Sequence, residues 1–419
     1  MPFAGEPMLF YCGAALCCAA VAHASLGAVG IWRGRQQQRR RCDADAEAFR
    51  REVATAVGVA RARLANRLAW EGEKPLRIAD IVQETPDIKS FYLVDTEGRS
   101  LPRYLPGQHL TVRVTLGNQP AVRCYSLSGS HRGEYYRVTV RRLNESELTD
   151  ETTPGLVSGW LHDHAGIGME LSCGAPRGRF FLDPRDPRPV VLIGAGVGCT
   201  PIFAMLEATQ AARWKRPVHA FLGFRDQQNR LFGDATRSLR QENPTLNLQT
   251  YFSQPLAGAS HDETERQGRI SIEALKRELP SNKFDFFLCG PPSMMQQLAP
   301  ELLDWGVADD AIHYEAFGPS SITTIKPSET CDNSIGSAVR FRPGQDPVVW
   351  DGEHRSLLDL AESAGVPIAS GCRAGNCGMC RVRVIKGATR AVKRPGAPIT
   401  DDECLACISV PDGPVVLEA

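Results

Sequence analysis

Three cysteines fall within nine residues near the end of the chain, in the stretch CRAGNCGMC from Cys372 to Cys380. No other stretch constrains the fold so tightly. Thiolates at C-x4-C-x2-C spacing need a loop wrapped closely around a shared centre. Gly371, Gly375 and Gly378 permit that wrapping and offer backbone amides to the sulfurs. Zinc usually takes one C-x2-C pair together with a second. The x4-then-x2 spacing, the glycines and the helix-like lead-in LLDLAESAGVPIASGC point instead to iron and sulfide, which demand anionic sulfur ligands. A fourth thiolate has two candidates downstream, Cys404 and Cys407 in DDECLACISVP.

The other cysteines do not form a disulfide framework. Of 14, three lie near the N-terminus, five in the last fifty residues and the rest are scattered, which reads as a reducing compartment. Cysteines 12, 17, 18, 42, 124, 173, 199 and 331 have no metal-type spacing and read as small apolar fillers. At 419 residues the chain is too long for one core and predicts roughly two to four domains. Its formal net charge of zero supplies no field for nucleic acid.

Met8 to Trp32 contains no Lys, Arg, Asp or Glu, and Arg33, Arg35, Arg39, Arg40 and Arg41 follow. Twenty-five helical residues span roughly 37 Å, enough to cross a bilayer with some tilt. No basic region precedes the run, which argues against a cleaved signal peptide. The expectation is a membrane anchor over 1–35, single-pass, with the catalytic domains in the cytoplasm. Phe49, Val53, Val57, Ala60, Leu64 and Leu68 then recur at helical steps, predicting an amphipathic helical linker over 36–74.

From about Pro75 short strands begin. HLTVRVTL (His109–Leu116), YRVTVRRL (Tyr136–Leu143) and the start of MELSCGAPRGRFFL (Met169–Leu182) suggest a small antiparallel barrel over 75–185. PVVLIGAGVGCTPIFAML then reads as a buried strand, a turn carrying Gly194, Gly196 and Gly198, and a helix with Thr200 as N-cap and Pro201 in its first turn. Strand, glycine turn and helix N-terminus together make an anion site for a phosphate. VHAFLGF, LNLQTYF and FDFFLCGPPSMM continue the alternation and predict a parallel sheet over 186–320. Polar SSITTIKPSET marks a linker within 321–335, before a last domain over 336–419.

Read in order, these motifs resemble the ferredoxin–NAD(P) reductase superfamily, with a reductase module similar to that of flavohaemoglobins and a C-terminal part similar to plant-type ferredoxin. RCYSLSGS (Arg123–Ser130) resembles the family's R-x-Y-S flavin motif, and GLVSGWLHD (Gly155–Asp163) its flavin-pyrophosphate segment. GAGVGCTP resembles the nicotinamide-dinucleotide loop, CGPP (Cys289–Pro292) the C-G-P motif, and YEAFGP (Tyr314–Pro319) the strand that closes on the flavin. The resemblance implies a multidomain fold: an N-terminal transmembrane helix, an antiparallel β-barrel flavin domain, an α/β parallel-sheet nucleotide domain and an α+β, β-grasp-like ferredoxin domain.

It also implies roles. Arg123 would bind flavin phosphate through its planar fork, and Tyr125 would stack on the isoalloxazine. Ser126 would hydrogen-bond the flavin edge, and Gly155, Val157 and Ser158 would take the pyrophosphate, favouring FAD over FMN. Gly194, Gly196, Gly198, Thr200 and Pro201 would cradle the dinucleotide. Cys289, with Gly290 and Pro291, would sit beside the nicotinamide, and Glu315 and Phe317 would approach the flavin from the far side. The family's L-x-C pattern selects Cys407, so Cys372, Cys377, Cys380 and Cys407 would hold a 2Fe–2S cluster. Asp226, next to Arg225 after the second strand, disfavours a 2′-phosphate, so NADH is expected before NADPH.

The implied activity is NAD(P)H-dependent electron transfer. A hydride passes to FAD, and single electrons pass through 2Fe–2S to a partner protein, such as a membrane oxygenase, hydroxylase or desaturase. Two other readings are a respiratory-type dehydrogenase donating to quinone or a membrane complex, and a non-catalytic redox sensor. Ion-pumping quinone reductases place ferredoxin before the flavin domain, the reverse of the order here. Retention of Arg123, Tyr125, Ser126, Cys289 and the cluster thiols argues against a sensor.

Overall fold

The computed structural model describes residues 70, 72–116, 119–143, 156–183, 185–186, 188–243, 245–258, 263–315, 317, 335–371, 373, 375, 378–392, 395, 397 and 399–419. Upstream it describes seven separate positions, Gln36, Ala46, Phe49, Val53, Ala56, Val57 and Ala60, all helical and exposed. The chain forms two compact units, Met1–Gly58 and Val59–Ala419.

Alternation of apolar residues builds the first sheet. β1 (Glu73–Thr85), β2 (Ile88–Asp95), β3 (His109–Leu116), β4 (Gln119–Ser126), β5 (Tyr136–Arg141) and, after helix α1 (Leu156–His164), β6 (Glu170–Gly174) form six strands in the order β4-β3-β6-β1-β2-β5. Every pairing is antiparallel. Leu76 and Ile78, Phe91 and Leu93, Leu110 and Val112, and Val138 and Val140 stand two residues apart on their strands and share one core. A bridge between Leu127 and Val138 joins the two edges, closing the sheet into a barrel.

The next sheet is parallel throughout. It contains β7 (Val190–Ala195), α2 (Cys199–Ala211), β8 (Val218–Phe224), α3 (Gly233–Glu242), β9 (Leu246–Phe252), β10 (Glu265–Gln267), α4 (Ile272–Glu278), β11 (Asp285–Cys289), α5 (Pro292–Asp304) and β12 (Ile312–Glu315). The strand order β10-β9-β8-β7-β11-β12 reverses direction between β7 and β11. Val190 and Leu192 of β7 enter one core and Val191 and Ile193 another, so helices cover both faces. That is why these strands read as continuous apolar runs rather than alternating ones.

The third layer joins β13 (Ala338–Arg340), β14 (Val348–Val349), α6 (Leu357–Ser363), β15 (Arg381–Lys386), β16 (Thr389–Ala391), β17 (Glu403–Leu405), β18 (Ser409–Pro411) and β19 (Val415–Glu418). Five strands run β14-β13-β19-β15-β17, and β16 pairs with β18. Ser356 caps α6 by accepting the Asp359 N–H at 3.2 Å. Leu357, Leu358, Leu360 and Ala361 of that helix pack against Val382, Leu405 and Leu417 of the sheet.

The expected single-pass, membrane-bound placement is corrected. Among the described residues no helix is long and apolar enough to cross a membrane. Met8–Trp32, on which that expectation rested, lies outside the described residues, as does most of 36–74.

Asp95 ties β1 to β2. Its buried carboxylate accepts a hydrogen bond from Lys74 Nζ and another from the Glu97 N–H at 2.9 Å. The lysine, helped by those amides against the cost of burial, holds the Asp95 carboxyl down at about 2, below its ordinary 3.8. Because the unfolded chain binds the proton more readily, this stabilisation is complete above the ordinary value and is lost as pH falls towards the folded one. Asp95→Asn should lower the melting midpoint by a few degrees at pH 7. In calorimetry from pH 7 to pH 2 the gap to the parent should narrow through that window; a constant gap would refute the assignment.

Candidate active site

The glycines after β7 fold the way the sequence predicts, for a reason the sequence does not disclose. A Cβ at Gly198 would stand 2.3 Å from the Cys289 carbonyl oxygen and 2.6 Å from the Gly290 nitrogen. A Cβ at Gly290 would meet Met294 Cε at 2.5 Å. The turns that follow β7 and β11 thus touch backbone to backbone at the point where strand order reverses, where open α/β sheets form their ligand crevice. Gly196 takes φ +54°, the left-handed region that suits glycine. Helix α2 starts at Cys199 after Gly198, so Thr200 is its second residue rather than its cap and donates its hydroxyl to the Val197 carbonyl at 2.8 Å. Pro201 lies in the first turn, as expected, and Pro291 precedes α5.

Two cross-strand pairs meet beside this crevice. In the barrel, register places His109 directly opposite Ser126. In the parallel sheet, Cys289 lies beside Glu315. Glu315 Oε2 accepts the Ser126 hydroxyl at 3.3 Å, and its Oε1 stands 3.8 Å from His109 Nδ1. All four side chains are buried. Burial first, then the Glu315 carboxylate and Cys199, push the Cys289 thiol well above its ordinary range, so it is a neutral thiol at physiological pH. Ser126, Cys289 and Glu315, three residues singled out from sequence, are therefore together. His109 was missed. Its signal was present in the sequence: the β3–β4 register also pairs Leu116 with Gln119, so a two-residue connection fixes 109 against 126. His109 Nε2 is buried and has no hydrogen-bond partner among the described residues.

Other expected residues sit nearby on the same elements. Arg123 and the half-buried Tyr125 lie on β4. Arg123 Nη1 donates to the Val122 carbonyl at 2.8 Å, and burial, with the neighbouring Arg373 guanidinium adding to it, lowers the Arg123 guanidinium below its ordinary range. Val157 and Ser158 are buried in the first turn of α1, while Gly155 lies outside the described residues. Phe317 packs against the core beneath β7. His162, also on α1, is held by the Val140 carbonyl at 2.9 Å and serves the barrel wall. Asp226 Oδ1 accepts the Asn229 backbone N–H at 3.0 Å and side-chain amide at 2.8 Å. Arg225 Nε donates to Gln254 Oε1 at 3.1 Å.

At the far end, the sulfurs of Cys380 and Cys407 are 3.1 Å apart. Cys404 instead lies in β17, buried, beside Thr389 and Ser409, with its thiol pushed up to about 11 by burial. Gly375 and Gly378 both take φ +74°, and a Cβ at Gly375 would strike Ile408 at 2.6 Å. Cys372 and Cys377 lie outside the described residues.

Comparison with known proteins follows the same division. Residues 192–299 match the oxidoreductase NAD-binding domain, and residues 344–412 match the 2Fe-2S iron-sulfur cluster binding domain. The flavohaem-like FAD/NAD-binding domain of nitric oxide dioxygenase from Vibrio cholerae is 33% identical and superposes with a TM-score of 0.52 over 59% of this chain and 99% of its own. This part of the chain belongs to that flavohaem-like FAD/NAD-binding family. Flavohemoprotein of Oceanobacillus iheyensis is 31% identical over 252 residues, 60% of each chain. The chain spans about 60% of the length of the curated relatives it matches. Phthalate dioxygenase reductase, a modular protein for electron transfer from pyridine nucleotides to a 2Fe–2S centre, shares the fold over 83% of this chain and 98% of its own, with 22% identity and a TM-score of 0.52.

The state of Cys289 is directly measurable. Iodoacetamide at pH 7 should leave Cys289 unmodified in the folded chain and modify it after denaturation, read by peptide mass spectrometry. Rapid labelling of the native protein would show an exposed thiolate instead.

Proposed function

We propose that this chain is an NAD(P)H-dependent flavin and iron–sulfur reductase that delivers single electrons to an acceptor protein of the oxygenase class. One observation carries the reading: a flavin-motif hydroxyl, Ser126, is hydrogen-bonded to Glu315, the strand partner of Cys289, in a chain whose Cys380 and Cys407 sulfurs also converge. The donor sets fit the groups implied. A buried thiol, Cys380, and a half-buried one, Cys407, in contact with each other suit a shared metal–sulfide centre. The turns after β7 and β11 close on each other with no room for a Cβ at Gly198, while Gly196 has open space beside it, and His109 Nε2, without a partner among the described residues, marks a polar position inside the flavin side of the site.

When bound, FAD supplies the acceptor for a hydride from NAD(P)H, and the 2Fe–2S cluster carries the electrons onward one at a time. In this reading Gly194, Gly196, Gly198, Thr200 and Pro201 hold the dinucleotide at the start of α2, where free amides face its phosphates. Arg123, Tyr125, Gly155, Val157 and Ser158 hold the flavin, and Phe317 closes over it. Ser126 keeps a proton at its hydroxyl, oriented by Glu315. Cys289, held as a neutral thiol, seats the nicotinamide edge with Gly290 and Pro291 without competing as a nucleophile. Burial of Ser126, Cys289 and Glu315 keeps water from the centre of the transfer path. Cys372, Cys377, Cys380 and Cys407 hold the cluster, and Cys404 does not. The module boundaries follow as 75–185 for flavin, 186–320 for nucleotide and 336–419 for the cluster, with 321–335 as connection.

The test is spectroscopic. The purified chain should show flavin bands above a broad iron–sulfur shoulder, both bleaching under anaerobic NADH or NADPH, and the faster nucleotide identifies the donor. Cys407→Ser should lose most of its iron and the shoulder while keeping the flavin bands, and Cys404→Ser should keep both. A colourless chain containing zinc, or a Cys407→Ser protein with full iron, would overturn the reading.

A further inference from the structure

One charged side chain, outside the set named above, reaches from the barrel to the nucleotide-binding half. Arg137 lies on β5, and its side chain is only 11% exposed. Its guanidinium carbon stands 4.7 Å from the ring centre of Phe232 and 5.3 Å from that of Phe203, two rings that stack on each other at 4.4 Å. Tyr92 of the barrel lies 6.0 Å away on another side. Such an aromatic cage attracts a guanidinium through the ring faces. Arg137 Nε donates to Ser128 Oγ at 3.2 Å, and Nη2 donates to the Ser128 carbonyl.

Glu207 completes the arrangement. It projects from α2, the helix that opens at the dinucleotide loop. Glu207 Oε2 accepts the Ser130 backbone N–H at 2.6 Å, and Oε1 stands 3.8 Å from Arg137 Nη2. Gly129 lies between them: a Cβ there would sit 3.4 Å from Glu207 Oε2 and 3.5 Å from Arg137 Nη2. Phe232 adopts φ +55°, a left-handed conformation that a bulky side chain rarely takes. Such a conformation persists only where its surroundings over-determine it, and here the ring it carries packs on Arg137 and Phe203.

The stretch Ser126–Ser130 is therefore held at both ends by carboxylates of the nucleotide half, Glu315 at Ser126 and Glu207 at Ser130. We propose that Arg137 and Glu207 form a positioning latch that fixes the flavin strand against helix α2 and so sets the approach of Ser126 to Cys289 and Glu315. The catalytic consequence rests on the function proposed above, whereas the latch itself does not.

Full-length Glu207→Ala, Glu207→Gln and Arg137→Met proteins separate these claims. Amide hydrogen exchange of peptides containing Ser130 should quicken in Glu207→Ala and stay near the parent rate in Glu207→Gln, whose amide oxygen still accepts the N–H. In anaerobic stopped flow, flavin reduction by NADH should slow at least about tenfold in Glu207→Ala and Arg137→Met, because small displacements of reacting groups are costly. NADH affinity should stay within about twofold, since no group that would touch the nucleotide is altered. Unchanged exchange in Glu207→Ala would overturn the latch. Parental reduction rates in a variant whose exchange has risen would overturn its positioning role. If neither NADH nor NADPH reduces the parent, the function fails while the exchange result stands. Should Arg137→Met not fold, the two Glu207 variants carry the test alone.

Discussion

Glu315 is a carboxylate almost wholly withdrawn from water, and a charge in that position must be met by partners. Those partners come from a different sheet. The Ser126 hydroxyl lies 189 residues earlier in the chain, and His109 stands opposite that serine across a hairpin. One acidic side chain thus binds the edge of an antiparallel barrel to the last strand of a parallel sheet. The arrangement of the proposed site depends on that junction, because the residues proposed for the flavin include those on β4 and those proposed for the nicotinamide nucleotide lie on and after β7 and β11.

The two halves meet this requirement by different routes. The barrel offers short polar side chains at a strand end, where register sets which residues face one another. The parallel sheet offers backbone: glycines at 194, 198 and 290 let two turns approach until no Cβ would fit between Gly198 and Cys289. Rigid backbone contact on one side and side-chain hydrogen bonds on the other make a site that is defined without being strained. Its thiol is kept neutral by the same burial that makes the carboxylate need its partners. The cluster region repeats the theme at smaller scale, with left-handed glycines allowing the loop to close and Cys404 drawn into the sheet while Cys407 turns towards Cys380.

Much of this was legible beforehand. Period-two alternation located β3 and β5, and largely apolar runs located β7, β8 and β11, because a strand buried on both faces has no polar side. Glycine turns after β7 and β11 were legible from spacing alone. Thr200 lies two residues past the cap of α2, which is Gly198, and capping chemistry gives way when the turn must approach another backbone. A membrane anchor inferred from apolar composition found no counterpart among the described helices. His109 and Arg137 went unremarked because a polar residue in an alternating strand looks like a solvent-facing one until the opposing layer is known.

By itself the sequence determined which segments are strands, where the glycine turns lie and which thiols are spaced for a shared centre, because propensity, periodicity and spacing act over a few residues. The tertiary structure alone decided that Ser126 meets Glu315 and that Arg137 enters an aromatic cage on the neighbouring layer. Those contacts join residues far apart in the chain, and they exist only once two cores have closed and buried polar groups have found their partners.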